Sequence, residues 1–487
     1  MPQSDIKKVY DAIKSKRQPY NDDFNYYDGD QPVMYSTQAL RDIFRNLDAR
    51  FTLNFCAVVI DAVKERISFK GFSAKDKTIN TALSDLVVNQ DLLNEADEVH
   101  EAALVCGESF VIVWPQLDAE GQETGIAEIF YNDPRNVVMF YDPGNPKKPA
   151  FAGKMWMDAD KFTHMTIYYP NHLEYYITLK ASDQDSGSDV NEKSFVPDTN
   201  RQGVMVDTNE VTWPLNPYEP DLPVFHFRVE KRIIKSDIKN VIPLQNGMNK
   251  LMADMMITSE FAAWPQRYFI TNADVSALQV KPGTILGVPA GVQGDQSTSA
   301  GEFGAAPLNN YTGSIDKLIS YTSSITNTPK HYFDPSSNAP SGEALIAMEA
   351  PLNKKAQDRI DKFTPIWQQA AAFALRIQKV TANPRDITPN FDKPETIQPK
   401  TQADITKVRT DGGVPLDIAL LWEGKTQAEI DAMNKIKDEA DAKSKASLGA
   451  ALLKAQQDMK TQDMPINGNN NQPNQPVNMQ KGKQGGR

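Results

Sequence analysis

The sequence predicts an α+β protein, in which helical and strand-forming segments occupy separate parts of the chain. Apolar residues recur every three or four positions between Leu92 and Cys106, which is typical of a helix. Between Phe110 and Leu179 the period falls to two, in runs rich in Val, Ile, Phe and Tyr, which predicts strands. A long helical period then extends from Ser341 to Lys379.

Length and charge limit the function classes that fit. The chain has 487 residues, enough for about three domains of roughly 150 residues with a sizeable core. Its 52 basic and 63 acidic residues give a net charge of -11, which argues against a general nucleic-acid coat or a binder of anionic membranes. Any polyanionic partner must therefore be bound by local basic groups.

The cysteines and the apolar runs indicate the compartment. Cys56 and Cys106 lie in apolar stretches, where a reduced thiol behaves as a small hydrophobic group, so no disulfide framework is expected. The first residues lack the apolar core of a signal peptide, and runs such as Phe55 to Ile60 are too short to span a bilayer. We expect a soluble protein made in a reducing cytoplasm.

The first 110 residues are predicted to form an arm and two main helices. Residues 26–32 are turn-rich and lie between two short helical stretches, so we expect this arm to lie on another surface. The pattern turns helical at Asn54 and breaks at Gly71. The next helix, which begins near Leu92, should end at Gly107.

The predicted strands form one antiparallel sheet. Turns rich in Gly, Pro and Asn divide Phe110 to Leu179 into five or six strands. Residues 182–200 contain few large apolar side chains and are predicted to be an exposed loop. Residues 223–228 return as a strand.

A methionine-rich helix is predicted for residues 240–264, with Asn240 as its cap and Pro243 in its first turn. Methionine adapts to irregular surfaces. Two interpretations therefore stay open, an ordinary buried helix and a helix at a contact between subunits. The methionines that crowd one side are Met248, Met252, Met255 and Met256.

A small module and a polar segment follow. Residues 265–312 are rich in Gly, Pro and small side chains, and a short helix from Ser314 to Thr326 comes next. Residues 330–340 are poor in aliphatic side chains and carry two prolines. From composition alone this segment is a plain surface connection, although several of its groups could donate hydrogen bonds to phosphate oxygens. These groups belong to Lys330, His331, Ser336, Ser337 and Asn338.

The strongest periodic signal predicts one very long helix. From Leu345 to Ile377 the apolar residues are spaced by about 3.6 positions, and Ser341 should cap the helix. At 1.5 Å per residue it would be roughly 60 Å long, with kinks expected at Pro351 and Pro365.

The end of the chain becomes progressively more polar. Residues 400–460 predict further helices, with a break at Gly412-Gly413. From Thr461 onwards Asn, Gln, Gly and Pro dominate, and such a composition cannot bury enough apolar surface to become ordered.

No complete catalytic, nucleotide-binding or metal-binding motif is present. His100-Glu101 lacks the second histidine of a zinc protease, and Gly424-Lys425-Thr426 lacks the first glycine of a phosphate loop. His164 and His172 could face each other across a hairpin, but without a third ligand a surface pair is favoured over a metal site. We expect no cofactor.

One basic group could contact phosphate. It interleaves with isoleucines, so it equally fits the solvated face of a helix, which is the favoured interpretation. Its members are Lys231, Arg232, Lys235 and Lys239.

Several motifs, taken in order, resemble those of the portal protein family of tailed bacteriophages of the siphophage type. The Tyr-Tyr-x-Gly arm precedes Asn54–Asp61, which runs to Gly71-Phe72, and Ala102–Phe110 follows. No single motif is specific, but the ordered set spans roughly residues 20–380. Its later members are Asp133–Val137, Ser236–Asn246 with Asn249, and Ser341–Leu345.

The resemblance implies a ring of twelve subunits at one capsid vertex, a conduit for double-stranded DNA. A separate ATP-driven terminase would package the DNA, which is later ejected. Implied partners are the large terminase subunit, the major capsid protein and a neck or head-completion adaptor, with no membrane. The chain would not be an enzyme, and it would be assembled in the host cytoplasm and end in the virion.

The resemblance also assigns the parts of a portal fold. By this resemblance, residues 330–340 form most of a loop that projects into the tunnel. DNA contact by its five donor residues is then favoured over a plain surface connection. The methionine-rich helix becomes part of a stem. The parts are a wing of helices and antiparallel sheet at 1–240, stem helix one at 241–264, the clip at 265–312, stem helix two at 313–328, the tunnel loop at 329–340, the long kinked helix of the wing at 341–394, an α-helical crown at 395–460 and a disordered tail at 461–487.

A second function class stays open on sequence alone. A cytoplasmic hydrolase can use dispersed carboxylates, such as Glu95, Asp97 and Glu101, without leaving a sequence signature. The long helix, the methionine-rich helix and the absence of a complete catalytic motif favour the DNA conduit.

Overall fold

The protein combines helices with antiparallel sheets, in agreement with the predicted α+β class. The chain forms two compact units, residues 1–397 and 398–487. The computed structural model describes residues 3–31, 52–118, 122–183, 190–207, 210–262, 267–270, 299–302, 304, 307–334, 341–395, 399–423, 425, 429–443 and 445.

The first helical stretch is longer than predicted and includes the tyrosines of the predicted arm. Helix α1 spans Gln3–Asp28 and ends before Gly29, whose φ of +85° suits glycine. Tyr26, predicted to lie in a turn-rich arm on another surface, is in the last turns of α1 and buried. The prediction was wrong because the tyrosines supply apolar contacts to the chain's own core. Residues 32–51, which include the second short stretch, lie outside the described residues.

The next helix is shorter than predicted. Helix α2 spans Phe55–Lys64 and is capped by Asn54, whose side chain accepts a hydrogen bond from the Ala57 N–H at 3.2 Å. Gly71 lies in a strand, β1 (Phe69–Ala74), which pairs with a strand more than 300 residues later in the chain, Ile387–Phe391. Helical periodicity cannot show such a long-range pairing, so the end of α2 was misplaced.

Helices α3 (Lys77–Asn89) and α4 (Leu92–Cys106) follow β1. Helix α4 ends at Gly107 as predicted, with a φ of +88° at that residue. A Cβ atom at Gly107 would lie 2.5 Å from the backbone carbonyl carbon of Lys235. The glycine therefore allows both the left-handed turn and the close approach of another segment.

Gly107→Ala should destabilise the protein by about 2 kcal/mol or more, because the left-handed conformation and the backbone clash both oppose a methyl group. Urea unfolding would measure the loss. The matched control is Gly125→Ala, where φ is +79° but no heavy atom lies within 4 Å of the added methyl. This control should cost about 1 kcal/mol. Equal losses at the two positions would show that contact with residue 235 does not matter.

The strands form two larger sheets, whereas one was predicted. Strands β2 (Glu108–Leu117) and β3 (Glu123–Asn132) join a later strand, β11 (Val224–Arg228), in the order β11-β2-β3. The other sheet contains five strands in sequence order. These are β4 (Val137–Asp142), β5 (Asn145–Met157), β6 (Thr163–Tyr168), β7 (Leu173–Thr178) and β8 (Phe195–Pro197).

A tight turn separates the two sheets. Arg135 binds Asp133 within this turn, with its Nε 2.9 Å from Oδ2, and it also donates to Asn21 of α1 at 2.9 Å. At this turn the chain leaves β3, and the next strand, β4, belongs to the five-stranded sheet. Local alternation of apolar residues is the same in both sheets, so the sequence could not reveal the division.

Residues 190–198 are not an exposed loop. Val190 and Phe195 are buried against the N-terminal half of α1, where the Tyr10 hydroxyl donates to the Val190 carbonyl at 2.6 Å. Two apolar side chains suffice to fix this stretch, which is why its overall polarity was misleading. Residues 184–189 lie outside the described part. Two short strands follow, β9 (Met205–Asp207) and β10 (Glu210–Thr212).

Strand β11 (Val224–Arg228) confirms the strand predicted there. The basic residues that follow it lie in bends, an irregular segment and a turn, and not on a helix. Asp237 holds this segment against the long helix through Arg359 and Lys355, at 3.0 and 3.2 Å. Burial alone would raise the pKa of Asp237, but the two cations outweigh burial and lower it.

A buried polar cluster joins α1 to both larger sheets. Lys16 Nζ and the Tyr20 hydroxyl each lie 2.8 Å from Glu108 Oε1, and His226 Nε2 lies 2.8 Å from Glu108 Oε2. Burial lowers the pKa of His226, so its neutral ring donates to Glu108 and accepts from the Tyr141 hydroxyl at 3.0 Å. Burial would raise the pKa of Glu108, but His226 and Lys16 lower it to about 2.

Two helices bracket most of the module predicted at 265–312, and the second begins at Asn309, before the predicted start at Ser314. Helix α5 spans Ile242–Ala262, with Pro243 in its first turn, and α6 spans Asn309–Thr326. Between them the described residues form a two-stranded pairing of β12 (Arg267–Ile270) with β13 (Ser299–Glu302). Most of the predicted module lies outside the described residues.

Helix α7 (Gly342–Ile377) confirms the long helix. It has 36 residues, a length of about 54 Å, and Ser341 caps it by accepting from the Ala344 N–H at 3.4 Å. Its apolar stripe is buried from Leu352 onwards, with Trp367 fully enclosed. Pro351 and Pro365 lie inside the helix. Strand β14 (Ile387–Phe391) then pairs with β1.

The second unit is helical where it is described. Helices α8 (Pro399–Asp411) and α9 (Leu416–Glu423) flank the predicted break at Gly412-Gly413, where Gly413 has a φ of +91°. Residues 429–443 are also helical. The predicted disordered tail lies outside the described residues.

Candidate functional site

The predicted site residues lie on α5, at the end of α6 and in the segment that leads into α7. Helices α5 and α6 pack together, with Leu318 3.5 Å from the position that a Cβ atom of Gly247 would occupy. Thr258 Oγ1 and the Tyr311 hydroxyl are 3.0 Å apart. The pair is therefore joined along more than one turn.

A polar network fixes the base of this helix pair. Gln245 accepts from the Phe55 N–H at 2.8 Å, and Asn249 accepts from the Leu53 N–H at 2.9 Å. Asn249 also donates to Gln31 at 3.0 Å. Gln245 is fully buried, and such a group must be hydrogen-bonded to avoid a large desolvation cost. The amide side chains thus lock α5 to the start of α2.

The four methionines of α5 have different environments. Met248 is fully buried in the chain's own core, and Met252 packs against the same core. Met255 is half-buried and Met256 is 39% exposed. Met248 is therefore not part of an accessible face, while Met255 and Met256 are.

The segment after α6 is held firmly at its start. Asn327 has a φ of +59° that ends α6, and residues 330–332 form one 3-10 turn. Phe333 is buried, with its ring edge-on to Phe55 at 5.4 Å between centroids. The first half of the predicted loop thus belongs to the folded core.

Arg66 is the centre of this anchor. Its guanidinium donates to the Tyr332 hydroxyl at 2.7 Å, to Asn353 Oδ1 at 2.8 Å and to the Ala62 carbonyl at 3.0 Å. It also pairs with Glu349 at 3.3 Å. One planar cation thereby ties the end of α2, the 3-10 turn and α7 together. Arg66 could not be singled out from the sequence, because its side-chain partners are more than 260 residues away.

Lys330 and His331, predicted to contact DNA, lie in this anchored turn and are half-buried. His331 Nε2 lies 3.8 Å from Glu349 Oε1. Ser336, Ser337 and Asn338 lie outside the described residues. DNA contact by these five residues stays a prediction.

The carboxylates of the alternative hydrolase do not converge on a reaction site. Glu95 Oε2 accepts from the Tyr131 N–H of β3 at 2.6 Å. Asp97 and Glu101 both bind Lys64 Nζ, at 2.8 and 2.6 Å. Each carboxylate therefore has a structural partner.

The histidines likewise have separate structural roles. His100 accepts from Trp367 Nε1 at 3.0 Å, and burial lowers its pKa to about 3. His164 lies 2.9 Å from Asp158, whereas His172 lies 2.8 Å from Asn171. They do not face each other, because His164 is opposite Ile177 in the sheet. Across the described residues no group of three or more His, Cys, Asp or Glu side chains could hold a metal ion.

Cys56 and Cys106 are free and buried, as predicted. Burial raises the pKa of both thiols, that of Cys56 to about 12. In the part of the chain that is described, no helix combines the length and apolarity needed to cross a membrane.

Comparison with known proteins decides the family. The family description "Phage portal protein, SPP1 Gp6-like" matches residues 6–446. The chain belongs to this portal family. Its resemblance to portal proteins, inferred from the ordered motifs, is confirmed, and the hydrolase alternative has no support.

Two phage portal proteins are similar to this one. The portal protein of Mycobacterium phage D29 is 23% identical over 427 residues, which cover 81% of this chain and 79% of that protein. The portal protein of Mycobacterium phage L5 is 27% identical over 163 residues, covering 31% of this chain and 32% of that protein. The portal similarity therefore extends from the N-terminal helix well into the second unit.

Proposed function

We propose that twelve copies of this portal protein form a ring at one vertex of a phage capsid, through which double-stranded DNA enters and leaves. The observation that carries the proposal is the portal family match from residue 6 to residue 446. The ring would reside in the virion after assembly in the host cytoplasm. Its partners would be the major capsid protein, the large terminase subunit and a neck or head-completion adaptor.

The assignment of parts is supported by the helix pair. Helices α5 and α6 lie where the two stem helices are expected, and β12 with β13 lies within the expected clip at 265–312. The wing would comprise residues 1–240 with α7, and the crown residues 395–460. The tunnel loop, residues 329–340, would connect the stem to α7.

A conduit must contact DNA without holding it. Each phosphate that a Lys or Arg neutralises strengthens binding through counterion release. A ring of chains that each carry a net charge of -11 would repel DNA in general and contact it at few points. Lys330, at the anchored start of the tunnel loop, is a candidate for such a contact.

The anchor formed by Arg66 supports a tunnel loop with a fixed base. Tyr332 and Glu349 bind the same guanidinium, so both ends of the loop are connected to α2. Such a base would suit a loop that contacts moving DNA, because the tip of the loop could move while its two ends stay fixed. The chain would do no chemistry itself, and terminase would supply ATP hydrolysis.

Three negative charges on the tunnel loop should impair DNA packaging while leaving the ring assembled. The variant is Ser336→Glu, Ser337→Glu and Asn338→Glu, which adds repulsion where hydrogen-bond donors to phosphate are expected. The measurement is nuclease-protected DNA in proheads supplied with terminase and ATP.

The matched control adds the same three charges at exposed positions of the wing, as Thr199→Glu, Asn200→Glu and Gln202→Glu. It should package normally. Normal packaging by the loop variant, with its ring confirmed by electron microscopy, would remove the loop from the mechanism.

A further inference from the structure

Strand β11 is at the edge of its three-stranded sheet, with β2 on one side only. The Pro223 carbonyl accepts from the Val113 N–H at 2.9 Å, and the Val229 N–H donates to the Gly107 carbonyl at 3.1 Å. Odd-numbered residues therefore face β2. In an antiparallel ladder, the backbone N–H and C=O groups of the even-numbered residues then point away from β2.

The outward backbone groups belong to Val224, His226 and Arg228. The described residues form no hydrogen bond to these N–H and C=O groups. An edge of this kind is a template for another extended chain. Among the described strands none flanks this edge.

A groove of about 700 Å³ runs along this edge. One wall is the β4–β5 hairpin and the other is α7, while residues of β11 line the space between them. Five residues of strand extend about 17 Å. The edge is therefore long enough to pair with a short added strand.

The groove is strongly basic in a protein of net charge -11. Among its lining residues only Asp221 is acidic, and Arg376 pairs with it at 3.0 Å. Lys362 pairs with Asp358 at 2.7 Å and with Glu230 at 3.4 Å, both outside the lining. Within the described chain no carboxylate forms an ion pair with Lys147, Lys148 or Lys231. The six cations that line the groove are Lys147, Lys148, Arg228, Lys231, Lys362 and Arg376.

We propose that the β11 edge binds an extended acidic segment of a partner polypeptide as an added strand. The free edge selects an extended backbone, and the lysines beside it that the described residues leave unpaired, Lys147, Lys148 and Lys231, select carboxylate side chains. Apolar contacts are available to alternate residues from Ile366 and Phe373. This inference rests on the fold of the first unit and not on ring formation.

The test uses the purified full chain and a fluorescein-labelled decapeptide of alternating Val and Glu, followed by fluorescence anisotropy. Lys147→Glu with Lys148→Glu should weaken binding about tenfold or more. Both lysines are exposed, so circular dichroism should show an unchanged fold. The charge-matched control is Lys75→Glu with Lys77→Glu, two exposed residues outside the groove lining, and it should bind as the parent does.

Backbone pairing is tested with two N-methylated peptides. One carries methyl groups on every Val nitrogen and the other on every Glu nitrogen. An added strand pairs through alternate N–H groups, so one peptide should lose binding and the other should keep it.

Equal binding of both methylated peptides would overturn the proposal, since it would leave only nonspecific charge attraction. A twelve-base-pair DNA duplex that binds more tightly than the peptide, with the same dependence on Lys147 and Lys148, would assign the groove to nucleic acid instead. Binding that is unchanged by the lysine substitutions would show that the peptide binds outside the groove, which would also overturn the proposal. Self-association of the chain that blocks the peptide would make a second copy the occupant.

Discussion

The double variant Met255→Asp with Met256→Asp should sediment as a 54.3 kDa monomer under conditions in which the parent sediments as a ring. In the proposed assembly the accessible side of α5 lies against a neighbour. An uncompensated carboxylate there costs several kcal/mol per contact. A closed ring repeats the contact at every subunit, so the effect on assembly should be large.

Two controls separate assembly from folding. Met256→Leu keeps the apolar contact and should leave the ring intact. Met248→Asp places the charge in the chain's own core and should lower thermal stability whether or not a ring forms. A Met255 and Met256 double variant that folds normally and still sediments as a ring would show that this side of α5 is not a subunit contact.

Glu108→Gln should lower the free energy of unfolding by about 3 kcal/mol, because it leaves the Lys16 ammonium buried without a charged partner. The Glu108 side chain is only 3% exposed and that of Lys16 is 14% exposed, so solvent screens the pair weakly. Urea unfolding of the isolated chain would measure the loss.

The pH dependence gives a second readout of the same pair. The pKa of Glu108 is lowered from its usual 4.5 to about 2, so its stabilising effect is complete above about pH 4.5. That effect should disappear as the pH falls from 4.5 towards 2. The stability difference between parent and Glu108→Gln should shrink over that interval, since glutamine does not titrate.

The double variant Lys16→Met with Glu108→Gln is the matched control. It removes the unpaired charge and should recover part of the stability lost in Glu108→Gln. If Glu108→Gln were as stable as the parent, or the double variant no more stable than Glu108→Gln, the buried pair of Lys16 and Glu108 would not stabilise the fold.

Features set by local sequence were predicted well. The end of α4 at Gly107, the cap of α7 at Ser341 and the buried stripe of α7 each depend on residues within a few turns. Helix periodicity and capping chemistry carry that information directly. The family was also recognisable, because the order of many weak motifs is itself specific.

Features set by distant contacts were not predictable from one sequence. The pairing of Gly71 with β14, the division into two sheets at Arg135 and the anchor at Arg66 all join residues far apart in the chain. The same is true of Lys16 with Glu108, which are 92 positions apart. A lone Arg or Lys in a polar stretch resembles any solvated residue until the fold supplies its partner.

Electron microscopy of the purified, unmodified chain would show whether it forms the proposed conduit. Closed rings with an open central channel are expected, with twelvefold symmetry in end-on class averages. The Met255→Asp and Met256→Asp variant, imaged in parallel, should show no rings. Compact monomers of the parent at every concentration, or closed particles without a channel, would contradict the DNA conduit.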